Sequence, residues 1–222
     1  MTALSGSRIL VIGASGVLGT ELAKECMQRG ARVIATVRNG DAPTGCESVV
    51  RADISLPQGR SEIVAAVRDI GGVDVVIMAA GVVGFGIHDA IQPDDIARLI
   101  DIDLVVPLQV ISDVSSLIAE GGNVTVLTGA VVDVATLGMS TYTAAKSGLS
   151  AALAVIRREM RTRKISILDA RPPHTETGLA SRAVFGNAPG LKQGLDPAEV
   201  ARRIVDAIES NESELPPNVF VG

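Results

Sequence analysis

The sequence predicts an α/β fold in which a parallel sheet is covered by helices on both faces. Three observations carry that expectation. Hydrophobic residues make up 47% of the 222 residues but aromatics only 2%, so the core is aliphatic, as strands buried on both faces require. Aliphatic runs of strand length alternate with helical patterns of ten or more residues, the arrangement of right-handed βαβ units. The motifs with chemical meaning fall just after those runs, at the sheet edge where ligands bind in such folds.

Taken in order, Arg8 to Ile12 reads as the first strand. The glycines after it lead into a helix over 17–29, which Gly30 closes. Residues 31–37 form the second strand and 48–51 a short third. Residues 61–70 are helical, ended by Gly71-Gly72, and 73–79 are an aliphatic fourth strand. Residues 93–119 form a long helix, whole or broken near Pro107, which Gly121-Gly122 stop before a fifth strand over 123–127. The strongest helical pattern runs over 141–163, followed by a sixth strand over 165–169. Residues 171–194, rich in Pro and Gly, read as a mobile substrate loop with a short helix. Asp196 caps a helix over 197–210 that has proline in its first turn. A last strand is expected over 219–221. No linker or repeat divides the chain, so one domain over 1–222 is expected.

Composition excludes several function classes. The net charge is −5 with both signs scattered, which does not suit a nucleic-acid binder. The basic run at Arg157-Arg158 and Arg161 to Lys164 falls at a helix end, where cations complement the dipole. Cys26 and Cys46 make neither a disulfide framework nor a metal site, and His88 and His174 sit in loops without ligand partners. No apolar stretch approaches the roughly 20 residues that span a bilayer. Met1-Thr2-Ala3 runs directly towards the first strand, so no leader is expected and the location is read as cytoplasmic.

The segment Gly13-Ala14-Ser15-Gly16-Val17-Leu18-Gly19 lies between a strand and a helix. Gly13 allows a tight turn, Gly16 lets backbone approach a pyrophosphate, and Gly19 permits close helix–strand contact. Ser15, Val17 and Leu18 share that turn, and the helix N-terminus offers unpaired N–H groups to phosphate. The second strand ends in Thr36-Val37-Arg38 rather than in the acid that binds the ribose of NAD. Arg38 can pair with a 2′-phosphate, helped by Thr36 or Asn39, so NADP(H) is expected over NAD(H). Asp53 is read either as an acceptor for the adenine amino group or as a turn cap. Ala79-Ala80-Gly81 leaves room for a ribose.

Tyr142 and Lys146 stand four residues apart, on one helical face. A phenol titrates near pH ~10, too high for acid–base work at neutral pH. A neighbouring ammonium favours the phenolate, so Lys146 is expected to lower Tyr142 towards the working range, and it can also bind the nicotinamide ribose.

Together these motifs resemble the short-chain dehydrogenase/reductase family, in order and spacing from about residue 7 to 178. The resemblance implies a Rossmann fold, a nicotinamide dinucleotide, and reversible carbonyl–alcohol hydride transfer with Tyr142 as acid/base and Lys146 assisting. It further implies that Pro172 and Thr177 contact the cofactor. Three departures stand out. The glycine spacing is the form common in the family's atypical members. The family's catalytic Ser aligns with Gly129, or with Thr128 if the loop is one residue longer, in which case the Thr128 hydroxyl takes that role. Asp103 stands where the family has Asn and would blunt the effect of Lys146.

The helix over 141–163 carries apolar residues on more than one face, which implies a homodimer or homotetramer through it. The reading is therefore an NADP(H)-dependent oxidoreductase acting on a small, uncharged carbonyl compound or its alcohol. The alternative is an NAD(P)-binding regulator with weakened chemistry. The loops 82–89, 131–139 and 171–194 would set specificity.

Overall fold

The structure, a computed structural model, describes residues 4–221; the stretch Met1–Ala3, where no leader was expected, and Gly222 lie outside it. The strands are β1 (Arg8–Ile12), β2 (Arg32–Val37), β3 (Ser48–Arg51), β4 (Val73–Met78), β5 (Ile118–Leu127), β6 (Ser166–Ala170) and β7 (Glu214–Leu215). They form one sheet in the order β3-β2-β1-β4-β5-β6-β7, with every neighbouring pair parallel. This is the doubly wound, Rossmann-type order, with its switch point between β1 and β4.

The α-helices are α1 (Val17–Gln28), α2 (Pro57–Asp69), α3 (Pro93–Ile100), α4 (Val106–Val114), α5 (Ser140–Glu159) and α6 (Pro197–Ser210). Successive strand side chains point to opposite faces, and both faces are apolar. Ile9 and Val11 of β1 pack with Leu22 and Cys26 of α1 and Ile204 and Ile208 of α6. Leu10 and Ile12 join the opposite layer with Ile63 of α2, Val110 of α4, and Leu149 and Leu153 of α5. Strands β1, β2, β4 and β6 bury both faces, which is why the sequence shows unbroken aliphatic runs there rather than alternation.

Several expectations are corrected. Helix α2 begins at Pro57, four residues early, because proline is favoured in a first turn where its missing N–H is not needed. The expected helix over 93–119 is interrupted before Pro107: α3 passes into a π-turn over Asp101–Val105, and α4 follows. The Pro107 ring crowds the carbonyl of the residue four positions back, which is Asp103, so the chain widens there. Gly121-Gly122 do not stop that helix. They sit inside β5, where the pairing with β4 jumps from Val73↔Ile118 to Val75↔Asn123, and Gly121 takes φ +80°. Finally, 217–219 is a 3₁₀ turn, and the edge strand is Glu214–Leu215. Pro216-Pro217 have no N–H groups to continue a ladder.

The loop over 171–194 contains one 3₁₀ turn at Ala180–Arg182 and is tied to the segment after β4 at Val184 and Phe185. Phe85 N–H donates to the Phe185 carbonyl at 3.0 Å and Val184 N–H to the Val83 carbonyl at 2.8 Å. Gly84 makes this possible, since a Cβ there would lie 2.3 Å from the Phe185 ring.

Candidate active site

A cleft of about 850 Å³ runs over the carboxyl ends of the strands. Gly13 turns the chain out of β1 with φ +84°, and a Cβ on it would lie 2.7 Å from the Ala80 nitrogen. A Cβ on Gly19 would lie 2.2 Å from the Gly13 carbonyl oxygen, so α1 rests directly on the turn. No side chain caps the N-terminus of α1, and its first turn holds no acid. Ser15, Gly16, Val17 and Leu18 of that turn line the cleft. Backbone N–H groups aimed at a space without a counter-charge are what a pyrophosphate needs. The residues present therefore fit a dinucleotide.

At the β2 end, Arg38 and Asn39 line the same cleft and are exposed. A Cβ on Gly40 would come within 3.7 Å of the Ser15 Cβ, so the phosphate turn and the Arg38 segment adjoin. Thr36 differs from expectation: it is buried, and its hydroxyl oxygen accepts the Gly13 N–H at 3.3 Å. It holds the turn and also lines the cleft. Asp53 lines the cleft and also caps its own turn, accepting from Ser55 N–H at 3.0 Å and Ser55 Oγ–H at 2.7 Å. Those bonds, above all from the Ser55 hydroxyl, hold its carboxyl below the usual range. Ala79, Ala80 and Gly81 line the cleft after β4.

The first two turns of α5 bring Tyr142 and Lys146 to this cleft. The Lys146 ammonium is buried, 5.7 Å from the Tyr142 ring centre, and donates to the Leu127 carbonyl at 3.3 Å. Asp103 approaches from the π-turn with its Oδ1 3.6 Å from Lys146 Nζ, and that oxygen accepts Val82 N–H at 3.0 Å. Gly81 roofs the pair: a Cβ there would lie 3.0 Å from Asp103 Oδ1 and 3.3 Å from Lys146 Nζ. This corrects one expectation. Burial, followed by the Asp103 charge, raises the Tyr142 phenol above its ordinary value.

Both candidates for the missing Ser line the cleft. Thr128 is fully buried, and its hydroxyl donates to the Asp169 carboxylate on the neighbouring strand. Gly129 takes φ +87°, and a Cβ there would sit 3.9 Å from both the Tyr142 hydroxyl and the Pro172 carbonyl oxygen. A side chain at 129 would therefore stand beside the Tyr142 hydroxyl, and Gly129 supplies none.

Pro172 and Thr177 line the cleft, as expected. The Thr177 hydroxyl oxygen accepts Leu179 N–H at 3.3 Å. The three expected specificity loops converge on the cleft, supplying Val82, Phe85, Val134, Met139, Leu179 and Leu191 to its lining.

Sequence reasoning missed a polar cluster behind this wall. Asp169 accepts from Thr128, from Ser150 Oγ–H at 2.6 Å and from Arg171 at 2.9 Å. Arg171 also reaches Asp133 at 3.1 Å and Glu214 at 3.3 Å, tying the turn after β5 to β6 and β7. The available signal was an acid inside an otherwise aliphatic strand, since a buried carboxylate must be paired. Among the described residues, no helix is long and apolar enough to cross a membrane, and no cluster of side chains could hold a metal.

The sequence is similar to an uncharacterised oxidoreductase of Methylorubrum extorquens, 28% identical over 189 residues, covering 80% of this chain and 76% of the relative. It is also similar to the cyclic-di-GMP-binding biofilm dispersal mediator protein of Escherichia coli K12, 25% identical over 90% of this chain and 89% of that one. A short-chain dehydrogenase of Burkholderia cenocepacia J2315, solved in complex with NADP, superposes with a TM-score of 0.83. It is 20% identical, with 96% of this chain and 89% of that chain covered, and so speaks to the fold. The family profile described as short chain dehydrogenase matches residues 7–185. The chain therefore belongs to the short-chain dehydrogenase family, NAD(P)-dependent oxidoreductases acting on CH–OH and C=O groups.

Proposed function

We propose that the protein is an NADP(H)-dependent reductase of small, uncharged carbonyl compounds. The single observation behind this reading is the meeting of the Tyr142–Lys146 pair with the glycine turn in one cleft, to which the specificity loops add apolar side chains. Arg38, exposed at the end of β2 with no acid beside it in the strand, supports a 2′-phosphorylated cofactor. The NADP held by the Burkholderia cenocepacia structure is consistent with that choice. On this reading Gly13, Gly16 and Gly19 admit the pyrophosphate, and Ser15, Val17 and Leu18 surround it. Asp53 faces the adenine, while Ala79, Ala80 and Gly81 leave space for the ribose. Pro172 and Thr177 border the nicotinamide.

A bound reduced nicotinamide supplies the hydride that goes to the carbonyl carbon. The Tyr142 hydroxyl gives its proton to the carbonyl oxygen and regains one from solvent. Lys146 orients the ribose, its charge shared with Asp103. Because Gly129 supplies no hydroxyl to the substrate oxygen, Tyr142 is the one side-chain donor assigned to it. The lost hydroxyl can slow turnover by about 100-fold. We place the assembly contact, a homodimer or homotetramer, on α5, where Val155 is 55% exposed beside exposed Ala151 and Ala154.

Gly129 also favours a second reading, a nucleotide-binding regulator with weakened chemistry; the Escherichia coli relative is named for ligand binding rather than for a reaction. The test mixes purified protein with NADPH and a panel of uncharged ketones and aldehydes. Turnover of NADPH with matching alcohol formation is expected. Tight NADPH binding without turnover across the panel would favour the regulator.

A further inference from the structure

The pair beside Tyr142 has a feature that carbonyl reduction does not by itself require. Asp103 is fully buried, in the π-turn that Pro107 imposes, and its Oδ1 engages Lys146 and Val82 N–H. Its Oδ2 is buried with no hydrogen-bond partner among the described residues. An ammonium as buried as that of Lys146 is costly without a counter-charge, and Asp103 is its one ion-pair partner among the described residues. The pair is close to neutral as a unit, so little positive potential remains at the phenol.

We propose that Asp103, paired with Lys146 beside Gly81, cancels the ammonium charge next to Tyr142 and keeps the phenol protonated through neutral pH. The site therefore rests with its phenol in the protonated form from which carbonyl reduction starts, whereas alcohol oxidation needs the phenolate. Asp103 is a positioning residue in this account, acting through Lys146 and Tyr142. The inference rests on the reading of Tyr142 as the proton donor.

The other charged or titratable groups around the phenol do not supply the missing positive charge. On α5 itself there is Lys146, already paired. From the turn after β5, Asp133 is held by Arg171. On the loop after β4, His88 Nδ1 lies 3.2 Å from the Ser140 hydroxyl in an exposed contact. From the segment after β6, both His174 and Arg182 line the cleft: His174 lies 3.6 Å from Glu176, and Arg182, bonded to the neutral Thr177 carbonyl at 3.2 Å, keeps its charge but is exposed, where solvent screens it. Burial opposes the phenolate, and the Asp103 charge adds to that effect. The sign follows: removing the Asp103 charge leaves Lys146 uncompensated, favours the phenolate and moves its formation to lower pH.

The chain carries its own probe, because Tyr142 is the single tyrosine and there is no tryptophan. The experiment is an ultraviolet titration of tyrosinate absorbance in the full-length protein without cofactor or substrate, with circular dichroism recording the folded state at each pH. In the wild type, phenolate should appear only above pH ~10, the value of a free phenol, or only together with unfolding. In Asp103→Asn it should appear at least about one unit lower, a tenfold rise in phenolate at fixed pH. The alkaline limb of alcohol oxidation should move down with it. A wild-type transition at or below pH ~10 in the folded protein overturns the inference, and so does an unchanged transition in a folded Asp103→Asn. If that variant does not fold, Asp103→Ser is titrated in its place with the same two outcomes, because burial alone already raises the wild-type phenol. Because the optical titration needs no turnover, it stands apart from any failure of the reductase reading.

Discussion

Replacing Gly19 by alanine perturbs the turn from which the whole cofactor assignment starts. The new Cβ would lie 2.2 Å from the Gly13 carbonyl oxygen, 3.0 Å from the Gly13 carbonyl carbon and 3.2 Å from Ala14 Cα. Ordinary carbon–oxygen contacts begin near ~3.3 Å, so α1 and the turn must separate by about 1 Å. Backbone supplies all three of those contacts, and no flexible side chain can yield. The same carbonyl accepts Gly16 N–H at 3.1 Å, and Ala14 is held by Thr36, its N–H donating to the Thr36 carbonyl at 3.0 Å. Overpacking of this kind costs about 1–3 kcal/mol, against a helix-propensity gain of about 1 kcal/mol. Net stability should therefore fall by no more than about 2 kcal/mol. Cofactor binding should suffer more, because a displacement of about 1 Å at a positioned site can cost on the order of 100-fold. Fluorescence titration with NADPH should give a Kd raised by about 10- to 100-fold, and urea unfolding should report the smaller stability loss. Gly190→Ala, where a Cβ meets nothing within 4 Å, serves as the control and should change neither. A Gly19→Ala protein that binds NADPH within about twofold of the wild type would refute the reasoning, since 1.4 kcal/mol is already tenfold.

Arg38→Ala should weaken NADPH by about 10- to 100-fold, the range of a charge-assisted hydrogen bond, and leave NADH nearly unchanged; equal losses would refute the 2′-phosphate assignment. Gly129→Ser and Gly129→Ala should each lose about 1–3 kcal/mol, because φ +87° strains any side chain. Between the two, Ser should turn over faster, and equal rates would show that a hydroxyl there does not reach the substrate. Light scattering should give a mass twice or four times that of the chain, and Val155→Glu on the exposed face of α5 should reduce it to one. A monomeric wild type would remove the assembly proposal.

The parts legible in the sequence are those whose signal is local. The Gly13-x-x-Gly16-x-x-Gly19 turn, the Tyr142–Lys146 pair one helical turn apart and the aliphatic runs each depend on near neighbours along the chain. What escaped depends on contacts between distant segments. The direction of the Thr128 hydroxyl follows from the pairing of β5 with β6, which sets it against Asp169. The Arg171 cluster joins residues from 133 to 214 and needs three strand ends in place. The π-turn is intermediate: Pro107 marked a break, but the strain falls four residues earlier, on Asp103. The last strand was misplaced because Val219 to Val221 looks extended, while Pro216-Pro217 before it cannot feed a ladder.

Carbonyl reduction at this site turns on the Tyr142 hydroxyl as proton donor. The measurement is the steady-state rate of NADPH-driven carbonyl reduction by Tyr142→Phe beside the wild type, with the NADPH Kd of each determined in parallel. Loss of the proton donor should lower kcat by about 10²- to 10⁴-fold while the Kd stays within about twofold. A Tyr142→Phe protein that reduces the same carbonyl at the wild-type rate would contradict the account.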